Sequence, residues 1–260
     1  MDNRGVGSSN NKINWFPGHM TASLRGLDGY IKQCDVILYV LDARCPKSSL
    51  NPSFEKFTNR KPVLFVYNKS DLAPKISGKG VFMDSTKSGA SQRVVQEIKR
   101  MFPTKNRVHA MVIGVPNSGK STLINNLVGS GKTKTADKPG VTRQPQWVTW
   151  DSVVRNAFQL FLLDTPGILY PNLEDQVVAR NLAFVGSIKD DILDIIELSR
   201  QLLDVIGYGK TLEEFAKARG HILRGNELDL NRSARTVLIE FRAGKFGKFN
   251  LDALTKAELQ

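Results

Sequence analysis

The chain has 260 residues, 41% of them hydrophobic, and its 37 Lys and Arg outnumber 25 Asp and Glu to give a formal charge of +12, enough length and apolar content for one large domain or two modest ones. No apolar run is long enough to span a membrane, and the polar start "MDNRGVGSSNNK" lacks the apolar segment of a secretory signal. Two cysteines, Cys34 and Cys45, are too few for a disulfide framework or a four-ligand zinc site, so a reducing cytosol is the expected setting.

Residues 1–12 read as a flexible tail. "CDVILYVLDA" (34–43) and "PVLFVYNK" (62–69) are near-continuous apolar runs, the pattern of buried strands. "SFEKFTNR" (53–60) between them predicts a short helix, and "GVFMDST" (80–86) a third strand. In "SQRVVQEIKRMF" (91–102), Val94, Val95, Ile98 and Phe102 share one helical face, with Ser91 placed as N-cap and Pro103 as the stop. "VHAMVIGV" (108–115) predicts another strand. In "KSTLINNLVG" (120–129), Leu123, Ile124, Leu127 and Val128 form one apolar helical face that Gly129 ends. Residues 130–146 lack periodicity and read as a mobile loop. "QWVTWDSVV" and "FQLFLLDTPG" are two more strands. This alternation predicts an α/β domain over 13–174, a mainly parallel sheet covered by helices.

The pattern changes after Pro171. Ile188, Ile192, Ile195, Ile196, Leu202, Leu203 and Ile206 carry a helical period through 175–207, closed by Gly207. Thr211 and Glu214 have capping-box spacing, and a last helix is expected over about 231–243. Residues 175–260 thus read as a smaller helical domain. No internal repeat is visible. The basic excess is concentrated in 61–130, and basic balance favours a polyanionic partner.

Gly114-Val115-Pro116-Asn117-Ser118-Gly119-Lys120-Ser121 matches G-x-x-x-x-G-K-[ST] between a strand and a helix. Backbone N–H groups in such a loop and at the helix N-terminus wrap phosphates, so Asn117, Ser118, Gly119, Lys120, Ser121 and Thr122 are candidate phosphate contacts. Lys120 would reach the β- and γ-phosphates, and the Ser121 hydroxyl would ligate Mg²⁺. Asp164-Thr165-Pro166-Gly167 ends a strand downstream. Asp164 there could hold Mg²⁺ and the Gly167 N–H could meet the γ-phosphate; the same residues also suit an ordinary turn.

Asn68-Lys69-Ser70-Asp71 follows an apolar strand. The Asp71 carboxylate can accept two N–H bonds from guanine, a pair adenine does not offer. Asn68 could meet the base edge and brace the phosphate loop, while Lys69 lies across the purine. Ser85 and Thr86 in "DSTK" (84–87) could complete the pocket with backbone N–H groups, or form a plain polar turn. Thr142 is placed to be a second Mg²⁺ ligand, although Thr133 and Thr135 share its loop. The order is unusual: N-K-x-D precedes the phosphate loop, so either one motif is accidental or the chain is wired differently.

Together and in this order the pieces resemble the circularly permuted GTPases, most closely those of the RbgA/YlqF type. The resemblance runs from "NWFPGHM" (14–20) through "DARCPKSSLNP" (42–52), "NKSD", "GVPNSGKSTLIN", "PGVTRQPQW" and "DTPGIL" to "EFRAGKFGKF" (240–249). It implies a P-loop G domain that hydrolyses GTP to GDP with Mg²⁺, and a helical RNA-binding tail. It also implies action late in assembly of the large (50S) ribosomal subunit through rRNA, in the cytoplasm and away from membranes. A monomer is expected. Thr142 becomes the Mg²⁺-binding threonine of the first switch. Ile168 stands where many GTPases carry a water-positioning Gln, and an aliphatic chain cannot orient water. The family's proposed substitute is the His of "FPGHM", here His19, which by its residues alone could equally pack beside Pro17 and Gly18. Asn117 matches the K⁺ ligand of K⁺-stimulated GTPases, or is a turn-former. The triplet Ser85-Thr86-Lys87 departs from the usual S-A-K. In the tail, Arg235, Arg242, Lys245 and Lys248 interleave with Phe241, Phe246 and Phe249, which suits an RNA surface or a core with a solvated face. Two other readings are a nucleotide-gated RNA scaffold with little turnover, and a permuted GTPase of the small subunit or a mitochondrial ribosome. The N-terminus lacks the Arg-rich look of a transit peptide.

Overall fold

The computed structural model describes residues 19–75, 77–129, 144–151, 158–169 and 175–257, without the side chains of 19–23, 25, 151 and 255–257. The expected tail and Thr133, Thr135 and Thr142 lie outside the described residues, and His19 is described only as the first residue of a helix.

Among the described residues six strands form one sheet: β1 (Val36–Asp42), β2 (Val63–Asn68), β3 (Val81–Phe82), β4 (Arg107–Ile113), β5 (Gln146–Asp151) and β6 (Gln159–Asp164), in the order β3-β2-β1-β4-β6-β5. Every neighbouring pair is parallel except β5 with β6. Those two follow each other closely in sequence, and a parallel return would need a crossover of a dozen or more residues. All seven residues of β1 are buried, as its continuous apolar run requires.

The helices are α1 (His19–Ile31), α2 (Glu55–Thr58), α3 (Gln92–Met101), α4 (Lys120–Val128), α5 (Gln176–Phe184), α6 (Ile195–Val205), α7 (Leu212–Ala218), α8 (Leu230–Arg242) and α9 (Leu251–Ala257). The two sheet faces sort the side chains by alternation. Val36, Leu38, Val40, Val108, Val112 and Leu162 face α3 and α4, meeting Val94, Val95, Ile98, Leu123, Ile124 and Leu127. Ile37, Tyr39, Leu41, Met111, Ile113 and Leu163 face the other way. Their apolar cluster takes in Leu24, Leu27 and Ile31 of α1 and continues without interruption into α5, α6, α7 and α8. Each fully buried aliphatic side chain of this kind contributes about 1.5–3 kcal/mol.

Several elements differ from expectation. Helix α1 was not predicted, although Leu24, Leu27 and Ile31 repeat at helical spacing; Gly26 and Gly29 inside it lower its intrinsic propensity. Helix α9 was likewise unforeseen. The strand expected over 80–86 shrinks to Val81–Phe82 because the chain turns into the Asp84–Lys87 bend. The long helical stretch 175–207 breaks after α5. Gly186 takes φ 80°, a short 3₁₀ turn covers Asp190–Ile192, and Asp194 caps α6 by accepting from Ile196 and Glu197. Ser91 does not cap α3 with its side chain; its hydroxyl bonds the Asn126 carboxamide, 2.7 Å. The Thr211–Glu214 capping box forms.

The chain's last segment returns to the sheet. Phe249 N–H donates to the Leu72 carbonyl (3.3 Å) and Leu251 N–H to the Arg44 carbonyl (2.7 Å). The Asp252 carboxylate accepts from Lys47 N–H (2.6 Å) and from the Ser48 hydroxyl (2.6 Å). Among the described residues no helix is long and apolar enough to cross a membrane.

Candidate nucleotide site

The strand order puts β1 and β4 side by side, with β2 and β3 beyond one and β6 and β5 beyond the other. The connections run outward in opposite directions from this pair, and ligands of open α/β sheets bind at the carboxyl ends of strands at such a point. Asn68 ends β2 opposite Asp42 of β1, and Asp164 ends β6 opposite Val112 of β4. The motifs separated in sequence therefore open on one edge.

The loop Gly114–Gly119 leaves β4 and enters α4. Asn117 sits at φ 57° and Gly119 at φ 95°. A Cβ on Gly119 would fall 2.0 Å from Asn68 Nδ2, so the glycine admits the neighbouring loop as well as the backbone bend. Asn68 joins three loops. Its Nδ2 donates to the Ser118 carbonyl (2.9 Å), and its Oδ1 accepts from the Ser85 N–H (2.9 Å). Lys69, left-handed at φ 57°, sends Nζ to the Asn117 carbonyl (2.6 Å) and to Asp42 Oδ2 (2.9 Å). Asp71 is half-buried on the short turn Ser70–Leu72. It borders an open cleft of about 580 Å³ with Asp84, Lys87, Arg93 and Lys248. Thr86 is exposed, and its N–H and hydroxyl both donate to Asp84 Oδ1.

Lys120 is buried, and its Nζ donates to the Gly114 (3.2 Å) and Val115 (3.0 Å) carbonyls. Burial pulls its pKa down to about 8; Asp164 opposes that shift and the Lys69 cation adds to it. The unfolded chain keeps this proton to near 10.5 and the folded chain releases it near 8. Between those values the unfolded state binds more protons, so stability rises with pH, and below about 8 the buried ammonium exerts its full cost. Lys120→Met is expected to raise the melting temperature of the nucleotide-free protein by roughly a few degrees at pH 7. The gain over wild type should shrink as pH climbs from 8 towards 10.5, which calorimetry across pH can check.

The Ser121 hydroxyl lies 3.4 Å from Asp164 Oδ2. Thr165 anchors the strand end through its hydroxyl to the Val112 carbonyl, 2.6 Å. Gly167 presses on the phosphate loop: a Cβ there would meet Pro116 Cα at 2.6 Å and Lys120 Nζ at 3.0 Å. The next residue, Ile168, is buried in the core, with its carbonyl held by Asn51 Nδ2, 2.8 Å. Thr122 is exposed on α4, and Ser118 is buried with no hydrogen-bond partner for its hydroxyl among the described residues. Asn68, Lys69, Ser85, Asn117, Ser118, Gly119, Lys120, Ser121, Asp164 and Gly167 thus converge. Thr142 and the His19 side chain lie outside the described residues.

Four participants have no role in the sequence reading. Asp42 and Arg44 were quoted without a role, though a polar residue closing a buried strand is a visible signal. Gly186 and Ser187 reach the phosphate loop from beyond α5. Asn117 Nδ2 donates to the Gly186 carbonyl (2.5 Å) and the Ser187 hydroxyl to the Pro116 carbonyl (2.8 Å). Nothing local in the sequence marks that contact. The tail also needs correction. Phe241 is buried on the inward face of α8, and Phe246 and Phe249, in the segment between α8 and α9, are half-buried against the same core. Arg242 is an internal clamp: it forks onto Asp190 and donates to the Ala183 and Phe184 carbonyls at the end of α5. Arg235, Lys245 and Lys248 remain exposed, without an aromatic stacking face beside them from these three rings.

This sheet order, with the N-K-x-D strand ahead of the phosphate-loop strand, defines a circularly permuted P-loop GTPase. A family model described as "50S ribosome-binding GTPase" matches residues 109–227, beginning at the phosphate-loop strand and leaving "NKSD" upstream. Proteins named ribosome biogenesis GTPase A are similar along nearly the whole chain. That of Bacillus cereus is 33% identical, covering 92% of this chain and 93% of that protein. That of Priestia megaterium is 32% identical, covering 95% and 98%. The crystal structure of GNP-bound YlqF from T. maritima superposes with a TM-score of 0.66 at 22% identity, covering 87% of this chain and 95% of that one. The chain belongs to the ribosome biogenesis GTPase A family.

Proposed function

We propose that this GTPase acts in assembly of the large ribosomal subunit, binding rRNA or the subunit precursor in a nucleotide-dependent way and releasing it as GTP becomes GDP. The observation that supports the nucleotide reading is the Asn68 bridge to Ser118 and Ser85, which ties the guanine-reading loop to the phosphate loop. In this reading Asp71 selects guanine, Lys69 lies along the base, and Ser85 and Thr86 close its edge. Asn117, Ser118, Gly119, Ser121 and Thr122 cradle phosphate. Lys120, now turned onto loop carbonyls, transfers its N–H bonds to β- and γ-phosphate oxygens. Gly167 offers its N–H to the γ-phosphate.

The Ser121 hydroxyl and Asp164 carboxylate are hard oxygen donors on one side of the loop, a set that suits Mg²⁺, with Thr142 as the further ligand. When bound, the ion would neutralise charge developing between the β- and γ-phosphates. Asn117 turns its amide nitrogen to Gly186, which leaves Oδ1 as the atom to offer K⁺. Ile168 is buried and cannot orient water, so His19 is assigned that task.

The division into a G domain over 13–174 and an RNA-binding helical domain over 175–260 is part of the proposal, as is a cytoplasmic monomer. Coupling between them is supported by the Asn117–Gly186 and Pro116–Ser187 bonds, which place the helical part against the phosphate loop. Filling that loop with phosphate would bias the seat of the helices. Co-sedimentation with large-subunit particles should then be at least about fivefold tighter with a GTP analogue than with GDP. Equal affinity in both states would reject the coupling, and binding to small-subunit particles alone would move the target.

A further inference from the structure

Beneath the guanine-reading loop, two residues outside the nucleotide motifs, Asp42 and Arg44, form an ion triad with Lys69 of that loop. Asp42, at the end of β1, is 1% exposed, and Arg44 is 2% exposed. The Arg44 guanidinium grips the carboxylate in a fork, Nε to Oδ1 at 2.9 Å and Nη2 to Oδ2 at 2.7 Å, and the Arg44 backbone N–H adds a third bond to Oδ1 at 3.1 Å. The same Oδ2 accepts from Lys69 Nζ at 2.9 Å. Burial alone would push the Asp42 carboxyl up, but Lys69 and Arg44 together hold it well below the usual carboxylate range, so it is ionised throughout the neutral region.

Stability alone explains this arrangement poorly. Burying the Asp42 and Arg44 charges carries a desolvation cost that apolar residues of similar volume would not, and Arg44 Nη1 has no hydrogen-bond partner among the described residues. What the triad does achieve is geometric. Lys69 is held at both Asp42 and the Asn117 carbonyl, so the end of a flexible side chain is tethered at two points while its stem stays partly exposed. The other side of the pair is clamped from the helical part: the Arg44 carbonyl accepts from Leu251, and its guanidinium lies 5.6 Å from the centre of the Phe241 ring.

We propose that Asp42 and Arg44 are positioning residues for guanine-nucleotide binding, acting through Lys69, which they hold as a pre-ordered shelf under the base and ribose. The proposal rests on the reading of "NKSD" as the base loop. Without the triad the lysine stem would have to be ordered by each nucleotide that binds, which lowers affinity without altering which base is chosen.

The test is a double-mutant cycle read as GDP dissociation constants, using a fluorescent GDP and the full chain. Asp42→Asn is expected to weaken GDP by about tenfold, within the range for disrupting a buried charged hydrogen bond. Combined with Lys69→Met, it should add little to the loss from Lys69→Met alone, because its effect runs through that lysine. Arg44→Lys keeps the charge but loses the fork, and should give a smaller loss with the same lack of additivity. It also decides the matter if Asp42→Asn does not fold. Additive losses, or unchanged GDP affinity in a folded variant, would overturn the proposal. Failure of the base-loop reading looks different: Asp71→Asn would then leave guanine preference intact. If Asp71→Asn shifts base preference while the triad variants bind GDP normally, only the positioning role falls.

Discussion

Asp71→Asn is expected to weaken GTP and GDP binding by roughly 10²-fold or more and to give the protein a preference for xanthine nucleotides. A carboxylate accepts from both the ring N–H and the exocyclic amino group of guanine. An amide in its place faces that amino group with one of its own donors, whereas xanthine presents a carbonyl there and accepts the bond. Sites built around buried hydrogen bonds reject a mismatched partner by large factors, because the groups left unpaired are desolvated. Asp71 is half-buried beside the Asn68 bridge, so its partner is selected in a partly dry setting. Competition binding with guanine, xanthine and adenine nucleotides reads the outcome. Unchanged guanine preference would remove the base-loop assignment and leave only a phosphate site.

The second large effect concerns turnover. Ile168, where many GTPases carry glutamine, is 1% exposed in the core, and an aliphatic side chain cannot orient water. Isolated hydrolysis should therefore be slow, near ~10⁻⁴ s⁻¹, and large-subunit particles should raise it by roughly 10³–10⁵-fold. His19→Ala is expected to remove about 10²-fold or more of the stimulated rate while sparing GTP affinity, as loss of a proton-transfer or water-orienting group does. Single-turnover assays with saturating particles measure both. Stimulated turnover that survives His19→Ala would remove the histidine from catalysis. A rate that particles never raise would favour the gated scaffold over the enzyme.

Much of this protein was legible from its residues because the signals are local. The phosphate loop announces itself by spacing, and its glycines are dictated by the bend at Gly119 and the close approach of Gly114 to the Val40 carbonyl. The buried strands declared themselves by unbroken apolar runs, as the fully covered β1 illustrates. Less visible were elements whose local preference is weak. Helix α1 contains two glycines and is stabilised by Leu24, Leu27 and Ile31 entering the cluster under the sheet, a long-range gain that no window of sequence contains. A helical period runs through 175–207, yet Gly186 divides that stretch into separate helices, and the resulting turn is what touches Pro116 and Asn117. Arg242 read as a free cation beside aromatics. Its hydrogen bonds to Asp190 and the end of α5 depend on how α8 packs, which charge pattern alone does not encode.

The residue order determined that the N-K-x-D motif precedes the phosphate-loop motif, which chemistry each could perform, and that a helical segment follows Asp164–Gly167. These follow from residue type and spacing along the chain. Tertiary structure alone decided that Asn68 and Ser118, fifty positions apart, share a hydrogen bond, because the order β2-β1-β4 brings their strand ends to one edge. It also decided that Asp42 and Arg44 lie buried beneath Lys69 and that Gly186 and Ser187 rest on the phosphate loop. Contacts of this kind are set by sheet register and by the packing of α5 and α8 on the shared core, and both are properties of the whole folded chain.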